Sequence, residues 1–156
     1  MITEVTFELI KHYWEQNLWD IYTKAGYNIQ RVNTTTQENY CYKAIKYLSQ
    51  EQIEMIIHPT YIAFFHGTNI VGVESGYKTN IDYYRVRGLW VDPRYRDEGI
   101  ATQLIQWFED RCKEKYMWTI PRESAVGFYT KYGFKITGKA AKTPYGQNYF
   151  AVKEIK

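Results

Sequence analysis

Two short stretches of this chain hold residue types at spacings that could do chemistry. One is Val91-Asp92-Pro93-Arg94-Tyr95-Arg96-Asp97-Glu98-Gly99-Ile100-Ala101, where a β-branched and aromatic segment, Arg85 to Val91, gives way to Ala101 to Tyr116 with apolar residues at helical spacing. A strand that turns into a helix there exposes the first backbone N–H groups, which have no partner inside the helix, together with the positive end of the peptide dipoles. An anionic phosphate satisfies both. Gly99 leaves the backbone approachable, Ala101 lets the helix start close to the strand, and Arg96 adds a cationic fork. A plain strand-to-helix connector uses similar ingredients, so the turn alone does not define a site.

The second stretch is Ser124-Ala125-Val126-Gly127-Phe128-Tyr129-Thr130-Lys131-Tyr132-Gly133-Phe134. It reads as a short helix in which Ser124 caps the start, Ala125 and Phe128 share a face, and Gly133 supplies a left-handed C-terminal turn. Tyr129 is the residue in this stretch that could carry chemistry. The alternative is that Tyr129, one of 16 tyrosines, only packs.

The spacing Arg96-x-x-Gly99-x-Ala101 resembles the acyl-CoA pyrophosphate motif of the GNAT superfamily of N-acyltransferases. Ser124 to Phe134 resembles that family's second signature, in the right order and at a fitting distance. The likeness covers about Tyr61 to Ile155. It implies one α+β domain over residues 1–156, with a mixed central sheet of six to seven strands flanked by about four helices. Two central strands would splay apart and admit the pantetheine arm of acetyl-CoA. The cosubstrate would be held by Arg96, Asp97, Glu98, Gly99, Ile100, Ala101 and Thr102. Backbone N–H groups at Leu89, Trp90 and Val91 would stabilise the oxyanion, and Tyr129 would protonate the leaving thiolate. The chain also resembles small GNAT proteins of bacteriophage genomes, which share a Trp-rich first helix, Gly-Leu-Trp-Val at a strand end, and Pro-Arg before the tyrosine helix.

Two positions depart from the family pattern. Many members keep a glutamate six residues before the position of Val91; here that residue is Arg85, which cannot act as a base. Glu74 is the best remaining carboxylate and Asp82 the next. The plain alternative for Glu74 is an exposed strand residue, and ordered water can remove the proton with no dedicated base. Arg122 stands seven residues before Tyr129, where the family commonly carries Asn. It can pair with Glu123 or hold an acidic acceptor.

The elements that must position these residues are legible in outline. Thr6 caps a helix from about Phe7 to Lys24 with Leu9, Ile10, Tyr13, Trp14, Leu18, Ile21 and Tyr22 on its apolar face. Asn28 to Asn39 reads as a loop. Ser49-Gln50-Glu51-Gln52 is a capping-box pattern that opens a second helix through Ile57, stopped by His58-Pro59. Tyr61 to His66, a turn at Gly67-Thr68-Asn69, and Ile70 to Tyr77 form a hairpin, and Tyr83 to Val91 is the strand that leads into the phosphate turn. After it come strands at Tyr116 to Ile120, Phe134 to Gly138 and Gln147 to Val152, with a Lys-, Ala- and Gly-rich loop from Gly138 to Gln147. Trp90, Tyr83, Tyr84, Tyr77 and Trp118 either flank the acceptor mouth or pack against helices.

Composition narrows the class. A chain of 156 residues with 45% apolar and 24% charged residues can bury one sizeable core. The net charge of +3 is mild and the basic residues are scattered, so the 18% aromatic content, five Trp included, carries no basic stripe for nucleic acid. Nucleic acid is therefore not the expected partner. Cys41 and Cys112 form no CxxC pair, and His12, His58 and His66 are isolated, so neither a metal site nor a disulfide framework is expected. No apolar run spans a membrane, and without a signal sequence Asn33-Thr34-Thr35 would not be glycosylated. These features point to a reducing cytoplasm. The acceptor amine and dimerisation stay open. The expected activity is acetyl-CoA-dependent N-acetyl transfer to a primary amine by direct attack; the alternative is a catalytically silent acyl-CoA-binding module.

Overall fold

Two-residue alternation along Tyr61 to Phe65 and Ile70 to Val73 folds as the expected hairpin. In a computed structural model that describes residues 1–16, 39–41, 53–55, 57–143 and 146–155, β4 (Ile57–His66) and β5 (Asn69–Asn80) meet at Gly67-Thr68. Gly67 takes φ of 64°, a left-handed conformation that glycine adopts without a Cβ penalty. β6 (Tyr83–Val91) returns antiparallel along β5, with the bounds its sequence predicts. A 3-10 turn at Pro93–Tyr95 leads into α2 (Ile100–Arg111), then β7 (Tyr116–Thr119), α3 (Glu123–Tyr132), β8 (Lys135–Thr143) and β9 (Gly146–Glu154). Ahead of them lie β1 (Ile2–Val5), α1 (Phe7–Gln16), and a separate two-stranded ribbon of β2 (Asn39–Cys41) and β3 (Ile53–Met55). The main sheet runs β1-β4-β5-β6-β7-β9-β8, antiparallel at every step except β6–β7. This is α+β, with seven strands in one mixed sheet and three helices among the described residues.

That one parallel step positions the site. β6 pairs with β7 only through Tyr83–Tyr116, Tyr84–Met117 and Arg85–Trp118. Beyond Arg85, β6 continues to Val91 against β5 alone, while β7 stays on β9, so the sheet splits into a V. On β6 a bulge sets Gly88 and Leu89 opposite the single residue Glu74, with Gly88 at φ of 77°. The bulge shifts the alternation. Trp90 thereby joins the face of Tyr77, Val73, Phe7 and Ile10 under α1, and Val91 faces the helix α2 side with Val86, Leu104 and Ile105.

α2 lies directly on β5 because that strand presents glycines to it. An added Cβ at Gly72 would stand 3.0 Å from Ile100 and 3.1 Å from Leu104; at Gly76 it would stand 2.7 Å from both Phe108 and the Tyr84 ring. Gly76→Ala is therefore expected to destabilise by about 1–3 kcal/mol, since the buried Phe108 ring and the partly buried Tyr84 ring must move. Thermal melting checks this, and an unchanged melting temperature would show that the rings yield freely.

Several sequence expectations are corrected. Ile53 to Met55 and Ile57 are strand, not helix: the capping-box signal is local, whereas Ile53, Glu54 and Met55 pair with Cys41, Tyr40 and Asn39 across the chain. β1 had no sequence expectation; its four residues form only by pairing with Tyr61 to Phe64, some sixty residues away. Thr6 does accept from the Leu9 N–H at 3.3 Å, but Leu9 itself is exposed rather than core. The helix expected to reach Tyr116 stops at Arg111, capped by the Cys112 N–H onto Glu109. α3 starts at Glu123, its N-cap being Arg122 and not Ser124. Glu123 occupies the first turn, where a carboxylate complements the helix dipole. The expected loop from Gly138 is mostly strand, drawn into β8 by pairing with β9. Trp14 belongs to α1 with no described side-chain placement, and Leu18 to Lys24, Asn28 to Glu38 and Ser49 to Gln52 lie outside the described residues.

Candidate active site

The turn after β6 is stitched from its own side chains. Asp92 accepts from the Arg94 backbone N–H at 2.9 Å and from the Arg94 guanidinium at 2.8 Å and 3.2 Å. These bonds hold the Asp92 carboxyl below its ordinary range. Arg96 donates through Nε to the Val91 carbonyl at 2.9 Å, tying the cationic residue to the strand end. Asp97 and Gly99 both adopt left-handed backbone, φ of 65° and 81°. Turns of this kind gather successive N–H groups into an anion-binding concavity, and Gly99 is here the N-cap of α2. A Cβ built on Gly99 meets nothing within 4 Å, so the space above it is open to a ligand. The donor set and the open space both fit a pyrophosphate.

From this turn a cleft of about 1580 Å³ runs into the V of the sheet. One wall is β6 from Arg85 to Val91; the other is Thr119 to Arg122 with the face of α3 that carries Ser124, Ala125, Phe128 and Tyr129. Leu89, Trp90, Val91, Arg96, Asp97, Gly99, Ile100, Ala101, Thr102 and Tyr129 all line it, so the structure brings these expected site residues together in one cleft; Glu98 lies in the same turn but is not part of the wall. Tyr129 is 6% exposed, its ring edge-on to Phe128 at 5.1 Å and to Phe134 at 5.3 Å. Its carbonyl accepts from the Gly133 and Phe134 N–H groups, which closes α3 at a glycine with φ of 126°.

Glu74 is not brought to the cleft. It sits between Gly72 and Gly76 on the alternating face that meets α2, is 0% exposed, and neither carboxylate oxygen has a hydrogen-bond partner. Burial pushes its pKa well above the ordinary value. A raised carboxyl contributes stability that is full below the ordinary carboxylate pKa and is lost as pH rises above it. Glu74→Gln is therefore expected to raise the melting temperature over the wild type by a margin that widens from about pH 5 to about pH 8. Thermal melts across that range check it; a margin independent of pH would contradict a neutral buried Glu74. Asp82 is exposed and lies outside the cleft wall. Cys112 is also outside it, and burial pushes its thiol up to about 11, which keeps it protonated.

Sequence reading missed Arg87, Thr119, Lys139, Asn148 and Phe150, all of which line the cleft. No motif marks them. Alternation along β9 does set Asn148, Phe150 and Val152 on one face, the face that packs on Trp118 and Tyr83. Of the five aromatic residues that could flank the acceptor mouth or pack against helices, Trp90 lines the cleft, Tyr77, Tyr83 and Trp118 are buried in the packing, and Tyr84 lies against Phe108 of α2.

A mixed sheet split after its parallel pair, with a phosphate-type turn at the mouth and a tyrosine helix on the opposite wall, defines the acyl-CoA N-acyltransferase fold. The chain belongs to the acetyltransferase (GNAT) family, whose family model matches residues 12–134. In fold it is similar to Ard1 from Thermoplasma volcanium, with TM-score 0.70, 20% identity, and 100% of this chain and 97% of that one covered. An aminoglycoside 6'-N-acetyltransferase complexed with coenzyme A gives TM-score 0.65 at 13% identity, covering 100% and 97%. A GNAT acetyltransferase from Elizabethkingia anophelis with acetyl-CoA bound gives 0.55 at 18% identity, covering 62% and 76%. No curated protein matches the chain. Among the described residues no helix is long and apolar enough to cross a membrane, and no group of three His, Cys, Asp or Glu side chains is placed to hold a metal.

Proposed function

We propose that this protein transfers an acetyl group from acetyl-CoA directly to a primary amine. The observation that carries the reading is the single cleft joining the Arg96 to Thr102 turn, the bulged end of β6 and Tyr129. The cosubstrate's pyrophosphate lies on the turn, and the pantetheine arm enters the V. Backbone N–H groups at Leu89 and Val91 stabilise charge on the thioester oxygen, where β6 has left β7; the Trp90 N–H, in phase with the Asp92 N–H that donates to Val71, turns to β5 instead. The amine nitrogen attacks the carbonyl carbon, the C–S bond breaks, and Tyr129 gives its proton to the leaving thiolate. The ammonium first gives a proton to water to become the nucleophilic amine, a second N–H proton leaves to water once the C–N bond forms, and Tyr129 regains its proton from solvent; water takes this part because Glu74 is closed off behind β5 and Arg85 is no base. Similar folds that hold coenzyme A or acetyl-CoA support the choice of donor.

The test is acetyl-CoA-dependent acetylation across a panel of primary amines, read as CoA released and as mass gained by the amine. Stoichiometric release with amine acetylation is expected. Saturable acetyl-CoA binding with no transfer to any amine would favour the silent binding module, a reading drawn from Arg85 and from the enclosure of Glu74.

A further inference from the structure

The Leu89 and Val91 N–H groups owe their direction to the bulge in β6. Along a strand, successive backbone groups point to opposite sides, so each neighbour takes every second residue. At the start of β6 the even-numbered residues face β7, because the Asp82 carbonyl accepts from the Tyr116 N–H at 2.8 Å. At its end they face β5, because the Asp92 N–H donates to the Val71 carbonyl at 2.8 Å. The reversal falls at Gly88 and Leu89. Before it Tyr77 pairs with Arg85 and Ser75 with Arg87; after it Val73 pairs with Trp90 and Gly72 with Val91, one residue later. Had the first register continued, Leu89 would stand opposite Val73 and give its N–H to β5. The bulge turns that N–H into the V instead.

Ser75 holds the residue at which this reversal begins. It is 0% exposed, stands opposite Arg87, the last residue before the bulge, and donates from Oγ to the Arg87 carbonyl at 2.7 Å. That carbonyl shares one rigid peptide plane with the Gly88 nitrogen, so fixing the oxygen fixes the plane that enters Gly88 at φ of 77°. Ser75 lies between Val73 and Tyr77, both packed in the cluster under α1, where alternation would place an apolar side chain. Farther along β5 a second buried hydroxyl stands beside the other register shift. Thr79 donates to the Tyr83 carbonyl at 3.2 Å and accepts from Trp118 Nε1 at 3.2 Å, which ties the closed end of the V across three strands.

Building on the transferase reading above, we infer that Ser75 is a positioning residue for acyl transfer: its hydroxyl pins the Arg87–Gly88 peptide, keeps the bulge at Gly88 and Leu89, and so aims the Leu89 N–H at the thioester oxygen. Ser75 is not part of the cleft wall and touches neither cosubstrate nor acceptor. Trp90 in the cluster under α1 and Val91 in the cluster against α2 hold the far side of the bulge, so β6 stays paired without the hydroxyl while the donor loses its aim. The phosphate turn lies beyond these anchors. Losing the hydroxyl therefore falls on the step in which charge develops on oxygen, not on cosubstrate binding.

The experiment compares the full wild-type chain with Ser75→Ala. The first readout is the carbonyl resonance of bound acetyl-CoA labelled with 13C at that carbon, which moves downfield as the oxygen accepts stronger hydrogen bonds and needs no acceptor amine. The wild type is expected to displace it downfield of free acetyl-CoA, and Ser75→Ala to return it most of the way. The second readout is turnover: Ser75→Ala should lower kcat by about 10-fold or more, with the acetyl-CoA Kd moved by less than about 3-fold. Ser75→Cys, close in size with a weaker donor, should fall between the two, and it carries the test if Ser75→Ala does not fold. A carbonyl resonance undisplaced in the wild type, a resonance and kcat unchanged in the variants, or a loss confined to melting temperature or to Kd would overturn the inference. A downfield resonance that depends on Ser75, with no amine acetylated by the wild type, would count against the transferase reading and leave the aiming of Leu89 by Ser75 standing.

Discussion

Tyr129→Phe is expected to lower kcat by about 10²-fold or more while acetyl-CoA binding persists. The substitution removes one hydroxyl and keeps the ring that packs edge-on against Phe128 and Phe134, so the core around α3 is retained. A thiolate leaving without a positioned acid must take its proton from water, and that loss falls on the chemical step rather than on binding. The variant and wild type are compared by steady-state CoA release and by titration with acetyl-CoA. Unchanged turnover would make Tyr129 a packing residue and remove it from the mechanism.

Gly99→Trp is expected to weaken acetyl-CoA binding by about 10²-fold or more. Charge-assisted hydrogen bonds are each worth about 1.5–3 kcal/mol, and excluding a pyrophosphate from the turn removes at least two of them. The open space over Gly99 is where the indole would stand. A non-glycine residue at φ of 81° also carries backbone strain, so Gly99→Ala is the companion measurement. Its Cβ meets no atom within 4 Å, and it should lose much less affinity than the Trp variant. Equal losses in the two variants would place the effect in strain and not in an occluded cradle.

What could be read from the sequence was what local physics determines. Tyr83 to Val91 has the β-branched and aromatic content of a strand and folds as one within the predicted bounds. Gly67-Thr68 and Gly133 mark turns because left-handed backbone favours glycine, and both take it. Elements created by distant partners were not legible. β1 exists through Phe64 to Tyr61, and β8 gains its length from β9 despite a Lys- and Ala-rich sequence. Ile53 to Met55 shows local and distant signals in conflict: a helix cap just upstream, and a strand partner at Asn39 to Cys41 that prevails.

The site divides in the same way. The phosphate turn and Tyr129 are carried by short motifs, and the fold sets them on one cleft. The facing of Glu74 depends on strand phase. Gly72 and Gly76, two positions to either side, were the available sign that a helix presses on that face. Asn148 and Arg85 come to one cleft from β9 and β6, and no spacing in the sequence connects them.

The central claim is that the cleft between β6 and α3 is an acetyl-CoA site, and titration calorimetry of acetyl-CoA into the wild-type chain tests it most directly. Saturable one-to-one binding at micromolar concentration, displaced by CoA, is the expected result. No heat of binding and no displacement would contradict the account, leaving the turn at Gly99 a strand-to-helix connector and Tyr129 a core residue.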